Sequence, residues 1–239
     1  RKVKASAPLA WLKHGWADVM AVPDINLDYG ALFAAIGAFI TYFSLGTPQL
    51  TLNFWSGFLL IGPLLAVGLY RIAQLREMDE RIQLDRCVRT LGEHKSEVGM
   101  FMVFLGLIMT AWILFSTVMV ALFFGDLPPG AEAFADALAS ADGVRFLLVL
   151  IGSGGVFALV VFAASALSLP MVLDGKADLV TAVSTSIRTV MDQPVPMLVW
   201  AALVAILTLV GMATLFLGFV VVFPVLGFAT WHSYREIVE

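Results

Sequence analysis

Residues 196–231 read PMLVWAALVAILTLVGMATLFLGFVVVFPVLGFATW and contain no ionisable side chain. About 20 apolar residues are enough for a helix to cross the ~30 Å hydrocarbon core of a bilayer. The run is therefore too long for one crossing of ordinary thickness. We predict a tight turn between Gly211 and Gly218 that divides it into two membrane spans. Without that turn the chain would cross five times and end on the opposite side.

The composition of the whole chain agrees with a membrane protein. Apolar residues make up 60% of the 239 residues, charged residues make up 13%, and the mean hydropathy is +0.94. Soluble domains are about 45–50% apolar and about 25% charged. We therefore predict an all-α, polytopic transmembrane helical bundle. Its six predicted spans are 27–45, 54–70, 98–124, 146–169, 196–212 and 215–233.

The charges between the spans predict the topology. The connection 46–53 carries no charge, and 125–145 carries acidic residues with Arg145 as its only base. Both connections are predicted to be external. All of the 14 Lys and Arg residues except Arg145 then lie on the other side. Cytoplasmic connections are rich in Lys and Arg, so both ends of the chain are predicted to be cytoplasmic.

Three further segments have the apolar periodicity of helices outside the membrane core. Residues 1–26 form a predicted N-terminal interfacial helix, with Leu9, Leu12, Trp16 and Val19 on one face. Packing of that helix on the cytoplasmic loops is the alternative. Residues 27–239 form the single six-helix transmembrane domain, with amphipathic cytoplasmic loop helices at 71–96 and 174–194. In the second loop helix Asp178 is placed to cap the N-terminus, and Val180, Val183, Ile187 and Val190 repeat at helical spacing.

The three inward-running spans resemble one another. Each has a proline near its cytoplasmic end: Pro63, Pro170 and Pro224. The pattern indicates three helical hairpins in parallel orientation. The alternative is that these are ordinary prolines of membrane helices, whose freed carbonyls find other partners.

Candidate chemistry is sparse, and no catalytic, cofactor-binding or metal-binding residue is predicted. No charged residue or histidine lies in the middle of a predicted span, which disfavours an ion-coupled pump. The histidines His14, His94 and His232 lie on separate elements at the membrane edges, so haem is not expected. The single cysteine, Cys87, excludes an internal disulfide, and the net charge of −4 gives no basic surface for nucleic acid.

Two local patterns suggest sites but favour structural roles. Asp24, Asn26 and Asp28 have the spacing of a calcium loop without its glycine and its final glutamate, and are predicted to start a helix. The glycines of 152–155, together with Gly30, Ala34 and Ala38, are predicted to permit close helix contact.

Several segments carry a family resemblance: GWADVM at 15–20, LDYG at 27–30, GPLLAVGLY at 62–70, LPMVLD at 169–174 and FPVLGFATWHSYR at 223–235. They resemble the bacterial integral membrane family called domain of unknown function 2189. The positions that carry the resemblance are Gly15, Trp16, Asp18, Pro23, Tyr29, Gly30, Gly62, Pro63, Gly68, Tyr70, Pro170, Pro224, Trp231, His232 and Tyr234. The resemblance implies an inner-membrane protein of about six spans, and implies no activity.

Three functional hypotheses follow from these patterns. The first is a non-catalytic accessory or assembly component of a membrane complex, with lipids and other membrane subunits as partners. The second is a carrier or channel for a small neutral or amphipathic solute, which requires a polar cavity lined by Thr41, Ser56, Thr110, Ser153, Ser165 or Thr208. The third is a lipid-acting enzyme, which requires a cytoplasmic pocket that joins His232, Tyr234 and Arg235.

Overall fold

In the computed structural model of the protein, the described residues are 2–44, 51, 54–55, 57–59, 62–78, 80, 92, 95–125 and 131–238. Most of the connection 46–53, part of the predicted span 54–70 and the middle of the predicted helix 71–96 lie outside this set. Cys87, His94 and Ser56 lie outside it as well.

The described residues form helices and no strands, which confirms the all-α class. In chain order the helices are α1 (Ala7–Ala21), α2 (Pro23–Ser44), α3 (Gly62–Leu65), α4 (Val67–Glu77), α5 (Lys95–Phe124), α6 (Ala131–Leu138), α7 (Ala141–Ser165), α8 (Ser168–Leu173), α9 (Leu179–Asp192), α10 (Pro194–Ala213) and α11 (Phe219–Val238).

Among the described residues, four helical segments are long and apolar enough to cross a membrane. They are Asn26–Ser44, Lys95–Phe124, Ala141–Leu173 and Pro194–Ala213, and they coincide with four of the six predicted spans. The third joins α7 and α8 across a short turn. The last predicted span corresponds to α11, whose second half carries the polar sequence WHSYRE. The count of six crossings stays a prediction.

The predicted turn between α10 and α11 is confirmed. α10 ends at Ala213, residues 214–218 form turns, and α11 begins at Phe219. The Thr214 hydroxyl accepts a hydrogen bond from the backbone N–H of Gly218 at 2.8 Å. Leu215 and Phe216 adopt positive φ angles of 51° and 69°, a conformation that is uncommon for residues other than glycine.

Burial of the Phe216 side chain accompanies this unusual backbone. Phe216 is only 2% exposed, and its ring contacts those of Trp55, Phe58 and Phe219. The turn therefore closes the hairpin and also places an aromatic ring in the core.

α11 is the central helix of the bundle. α1 lies along its C-terminal half, with Trp11 bonded to Glu236, and α2 lies along its N-terminal half, with Phe33 stacked on Phe223 at a centroid distance of 3.8 Å. α4, α8 and α10 also contact α11. The last helix of the chain thus organises the first two.

The ends of the three proline-containing segments meet at one end of the bundle. α4, α8 and α11 contact one another, and Gly227 of α11 lies so close to Leu69 of α4 that an added Cβ would be 2.6 Å from the leucine Cδ1. Further along both helices, Arg235 Nε of α11 lies 3.0 Å from Glu77 Oε2 of α4. α4 and α11 therefore run in the same direction, as the hairpin pattern predicts for these two segments.

The described parts of the acidic connection and of the basic segment lie at opposite ends of the bundle. α5 and α7 run antiparallel, since Phe124 contacts Phe146 at 4.9 Å and Trp112 contacts Phe157 at 5.4 Å. The 30 residues of α5 span about 45 Å at 1.5 Å per residue. The described part of the acidic connection is at the Phe124 end. Asp174, which bonds Gln74 of α4, is at the other.

The predicted apolar face of the first helix is correct only in part: Val19 is buried and Leu12 is half-buried against the core. α1 exists as expected, but it buries Trp11, Gly15 and Val19 against the bundle, whereas Leu9 and Trp16 of the predicted stripe are exposed. Trp11 packs edge-on against Trp200 at 5.7 Å. Hydropathy alone placed Leu9 and Trp16 on the buried face because more than one face of this helix carries large apolar side chains.

The second loop helix is confirmed with its predicted cap. α9 begins at Leu179, and the Asp178 carboxylate accepts hydrogen bonds from the backbone N–H groups of Val180 and Thr181 at 3.1 and 3.4 Å. Thr181 also donates its hydroxyl to this carboxylate. These bonds, that of the Thr181 hydroxyl above all, lower the pKa of Asp178 from its ordinary value.

The helix start at Asp24 is confirmed as well, because α2 begins at Pro23 with Asp24 in its first turn.

The prediction that small residues permit close helix contact is correct in part. Gly30 and Ala34 are buried, whereas Ala38 is exposed. Gly152 and Gly155 are also exposed, and a Cβ added to either would have nothing within 4 Å, so within this chain they do not serve close helix contact.

Candidate functional site

A polar network ties the first helix to the last at the α4 end of the bundle. Its first centre is Asp18 of α1, whose carboxylate lies 2.6 Å from Arg76 Nη1 and 2.7 Å from His232 Nε2. Arg76 also donates to the Asp18 backbone carbonyl at 3.0 Å. The three side chains are between 19% and 28% exposed. Partial burial strengthens their mutual attraction relative to a surface ion pair.

The second centre is Asp174, at the C-terminus of α8. Its carboxylate accepts hydrogen bonds from the Tyr234 hydroxyl and from Gln74 Nε2, both at 2.8 Å. Arg235 Nη1 lies 3.5 Å from the same carboxylate. Arg71 bonds Gln74 and so extends this centre along α4. Because its side chain is only 10% exposed, the Asp174 carboxylate depends on these donors in place of water.

The two centres are joined through neighbouring residues on α4 and α11. Arg235 Nε lies 3.0 Å from Glu77 Oε2, and Glu77 follows Arg76 of the first centre. On α11, His232 belongs to the first centre and Tyr234 to the second. Each of the two helices therefore supplies a side chain to both centres, which fixes α4 and α11 in register.

The structure brings two of the histidines together. The rings of His14 and His232 are 5.3 Å apart between centroids, beside the Asp18 carboxylate. His14 on α1 and His232 on α11 belong to separate elements, as predicted, and the antiparallel packing of α1 along α11 places their rings side by side. His94 lies outside the described residues. Within those residues, no group of three or more His, Cys, Asp or Glu side chains has a metal-binding arrangement.

Several glycine positions of the resemblance allow close helix contacts. A Cβ at Gly15 would lie 2.7 Å from the Val225 carbonyl oxygen, and one at Gly30 would lie 2.1 Å from that of Val220. At Gly68 a Cβ would meet the Tyr29 hydroxyl at 2.6 Å. Any side chain at these points would separate the helices.

The aromatic positions Tyr29, Tyr70 and Trp231 lie around the same contacts. The Tyr29 hydroxyl donates to the Leu65 carbonyl at 2.7 Å, and Tyr70 is buried. Trp231 is fully buried, and its ring packs against Tyr234. The Trp231 indole N–H has no hydrogen-bond partner in the described structure.

The remaining positions of the resemblance are not part of the network. Trp16 and Pro23 are exposed, and Gly62 and Pro63 are half-buried in α3. Pro170 is buried in α8, and Pro224 lies inside α11. Sequence reasoning did not single out Asp174, Arg76, Gln74 and Glu77 as site residues. The one available signal was Asp174, which ends the quoted segment LPMVLD.

The positions of His232, Tyr234 and Arg235 meet only part of what the enzyme hypothesis requires. His232, Tyr234 and Arg235 do lie at one end of the bundle, as that hypothesis requires, but each is bonded to a carboxylate of the protein. Two open surface clefts of about 300 and 420 Å³ lie nearby around Lys2. Neither is lined by these three residues.

Among the described residues, the hydroxyls proposed to line a solute path do not converge on a shared cavity. Thr110 and Ser153 donate to carbonyls of their own helices at 2.8 and 2.7 Å. Thr41 donates to the Gly37 carbonyl and accepts from Trp55 Nε1. Ser165 is buried and Thr208 is half-buried. Ser56 lies outside the described residues.

Long apolar helices and an interhelical polar network at one end define a helical integral membrane protein. The chain belongs to the family described as predicted integral membrane protein (DUF2189), whose model matches residues 50–174, just over half of the chain. No curated protein and no solved structure matches it.

Proposed function

We propose that the protein is a non-catalytic accessory or assembly component of a larger membrane complex. The observation that carries the proposal is the surface of α7. In the most apolar 18-residue stretch of the span that contains α7, only 11% of the residues are buried inside the protein. The corresponding share in the other three candidate spans is 22–28%. Most of this helix is therefore available to lipid or to another subunit.

One face of α7 has the residue types of a helix–helix interface. Gly152 and Gly155 are exposed, with open space around each. Leu148 and Leu159 are exposed one turn before and one turn after them, at positions four residues apart that share this face. Small residues bordered by large apolar ones let a second membrane helix approach closely. Lipid alone has no requirement for glycine at these positions.

The protein is proposed to lie in the bacterial inner membrane, and its charge distribution supports an orientation with both termini on the cytoplasmic side. α1 and the end of α11 lie at the basic end of the bundle, where Trp11 bonds Glu236. Of the 14 Lys and Arg residues, only Arg145 belongs to the acidic connection. The excess of basic residues on one side is the usual determinant of orientation.

The test is co-purification in mild detergent followed by mass analysis of the intact assembly. The wild-type protein is expected to retain a membrane subunit, and Gly152→Leu or Gly155→Leu is expected to release it. Gly106→Leu is the matched control, because Gly106 is an exposed glycine of α5 with open space around it. A wild-type protein that always runs alone contradicts the proposal, as does equal retention in all three variants. The carrier and enzyme hypotheses have no comparable observation in their favour.

A further inference from the structure

We propose that α9 lies in the plane of the membrane interface, with Val180, Ile187 and Met191 inserted at the boundary between lipid headgroups and acyl chains. The partner of this surface is the lipid bilayer itself. The inference concerns how the bundle sits in its membrane, and it does not depend on the proposed accessory function.

One face of α9 packs on the bundle. Leu179, Ala182 and Ser186 are buried. The Ser186 hydroxyl donates to the Ala163 carbonyl at 2.7 Å and accepts from the Leu167 N–H at 3.2 Å. These bonds reach the C-terminal end of α7 and the turn that follows it, so α9 is fixed against the second half of a membrane-spanning segment.

The outward surface of α9 has two chemically different parts. Val180 and Met191 are 67% and 73% exposed, and Ile187 is 38% exposed. The other exposed positions are polar: Thr181, Ser184, Arg188 and Asp192. At about 100° per residue, the centre of the apolar group lies about 130° from that of the buried group and about 85° from that of the polar group. A helix at a bilayer surface requires such a division, with one sector each for protein, lipid and water.

The connections of α9 make lipid the occupant of the apolar sector. Only residues 174–178 separate α9 from the span that ends at Leu173, and only Gln193 separates it from the span that begins at Pro194. Both ends of α9 are therefore held at the ends of membrane-crossing helices on one side of the bilayer. The exposed apolar surface resumes at Val195 and Leu198 in the first turns of α10. Because only Gln193 separates the two helices, the membrane that surrounds the first turns of α10 also reaches the end of α9.

The experiment uses single spin labels in the purified protein reconstituted into phosphatidylcholine vesicles. Cys87, the only native cysteine, is replaced by serine. Labels are then placed through Val180→Cys, Ile187→Cys and Met191→Cys, with Thr181→Cys and Arg188→Cys as matched controls on the polar sector. Collision with molecular oxygen reports lipid exposure, and collision with a water-soluble nickel chelate reports water exposure.

Oxygen collisions are expected to exceed nickel collisions at the three apolar positions, and the reverse is expected at the two polar positions. Nickel access at all five positions would overturn the proposal, because α9 would then stand in water. Low access to both reagents at the three apolar positions would also overturn it, because a second copy of the protein would cover them. Neither result bears on a partner subunit, which is absent from the vesicles.

Discussion

His232 Nε2 lies 2.7 Å from the Asp18 carboxylate, although 214 residues separate the two in sequence. The contact joins α1 to α11, and Arg76 joins both to α4 through the same carboxylate. Three segments of the chain thus depend on one partly buried acid.

Loss of the Asp18 carboxylate is expected to destabilise the protein. Asp18→Asn leaves Arg76 and His232 without their anionic partner in a partly buried site, which costs about 1–3 kcal/mol. The free energy of unfolding in mild detergent measures this. Asp142→Asn is the control, because the Asp142–Arg145 pair is 67–73% exposed and such pairs contribute about 0–1 kcal/mol. Equal effects of the two substitutions would contradict the role of Asp18.

Substitution of Gly30 is expected to separate α2 from α11. In Gly30→Ala the new Cβ would lie 2.1 Å from the Val220 carbonyl oxygen, and forced overpacking of this kind costs about 1–3 kcal/mol. Gly152→Ala is the matched control, since nothing lies within 4 Å of its Cβ and alanine is favoured over glycine in a helix by up to about 1 kcal/mol. Thermal unfolding of the two variants should therefore shift in opposite directions. A Gly30→Ala protein as stable as the wild type would show that the contact is not close.

Glycine at position 215 is expected to stabilise the hairpin turn. Leu215 has a φ angle of 51° and a side chain that is 75% exposed. Removing this side chain therefore loses little buried apolar surface. A left-handed conformation costs about 1–2 kcal/mol in residues with a Cβ, and the greater freedom of glycine in the unfolded chain offsets about 0.5–1 kcal/mol of that gain. Leu217→Gly is the control, because Leu217 is equally exposed and is not among the positive-φ residues of the structure. The unfolding midpoint should rise for Leu215→Gly and fall for Leu217→Gly.

The Asp178 cap is expected to make the stability of α9 depend on acid pH. Hydrogen bonds hold the pKa of Asp178 below its ordinary value of 3.8. The stabilisation that the ionised Asp178 cap gives to the folded protein is therefore fully present above pH 3.8. It is lost as the pH falls through the lower folded-state pKa. Asp178→Ala should therefore be less stable than the wild type at neutral pH, and the difference should shrink at acid pH. Asp178→Asn keeps the cap without the titrating group and should be as stable as the wild type near neutrality. Unfolding midpoints of the three proteins across this pH range provide the measurement.

Much of the fold could be predicted from the sequence because the relevant signals are local. Apolar length predicted the four helices that can cross a membrane, and the excess length of 196–231 predicted the turn at 214–218. Helical periodicity and Asp178 predicted α9 and its start. Each of these signals lies within one stretch of chain, where bilayer thickness or backbone hydrogen bonding decides the outcome.

The polar network could not be predicted in the same way. No local feature of His232 specifies Asp18 as its partner, and the pairing depends on the antiparallel packing of α1 on α11. The buried face of α1 was predicted only in part, for a related reason. It is defined by Gly15, which permits close approach to Val225 and Ala229, whereas a hydropathy pattern gives more weight to large side chains such as Leu9 and Trp16.

The separation of the acidic connection from the basic end by the membrane is the central claim. It is tested most directly by cysteine labelling in intact bacterial cells that produce the Cys87→Ser protein. Asp136 and Lys176 are both exposed and lie at opposite ends of the bundle. A membrane-impermeant maleimide should modify Asp136→Cys in intact cells, and should modify Lys176→Cys only after the membrane is opened. Equal modification of both positions in intact cells would contradict the account.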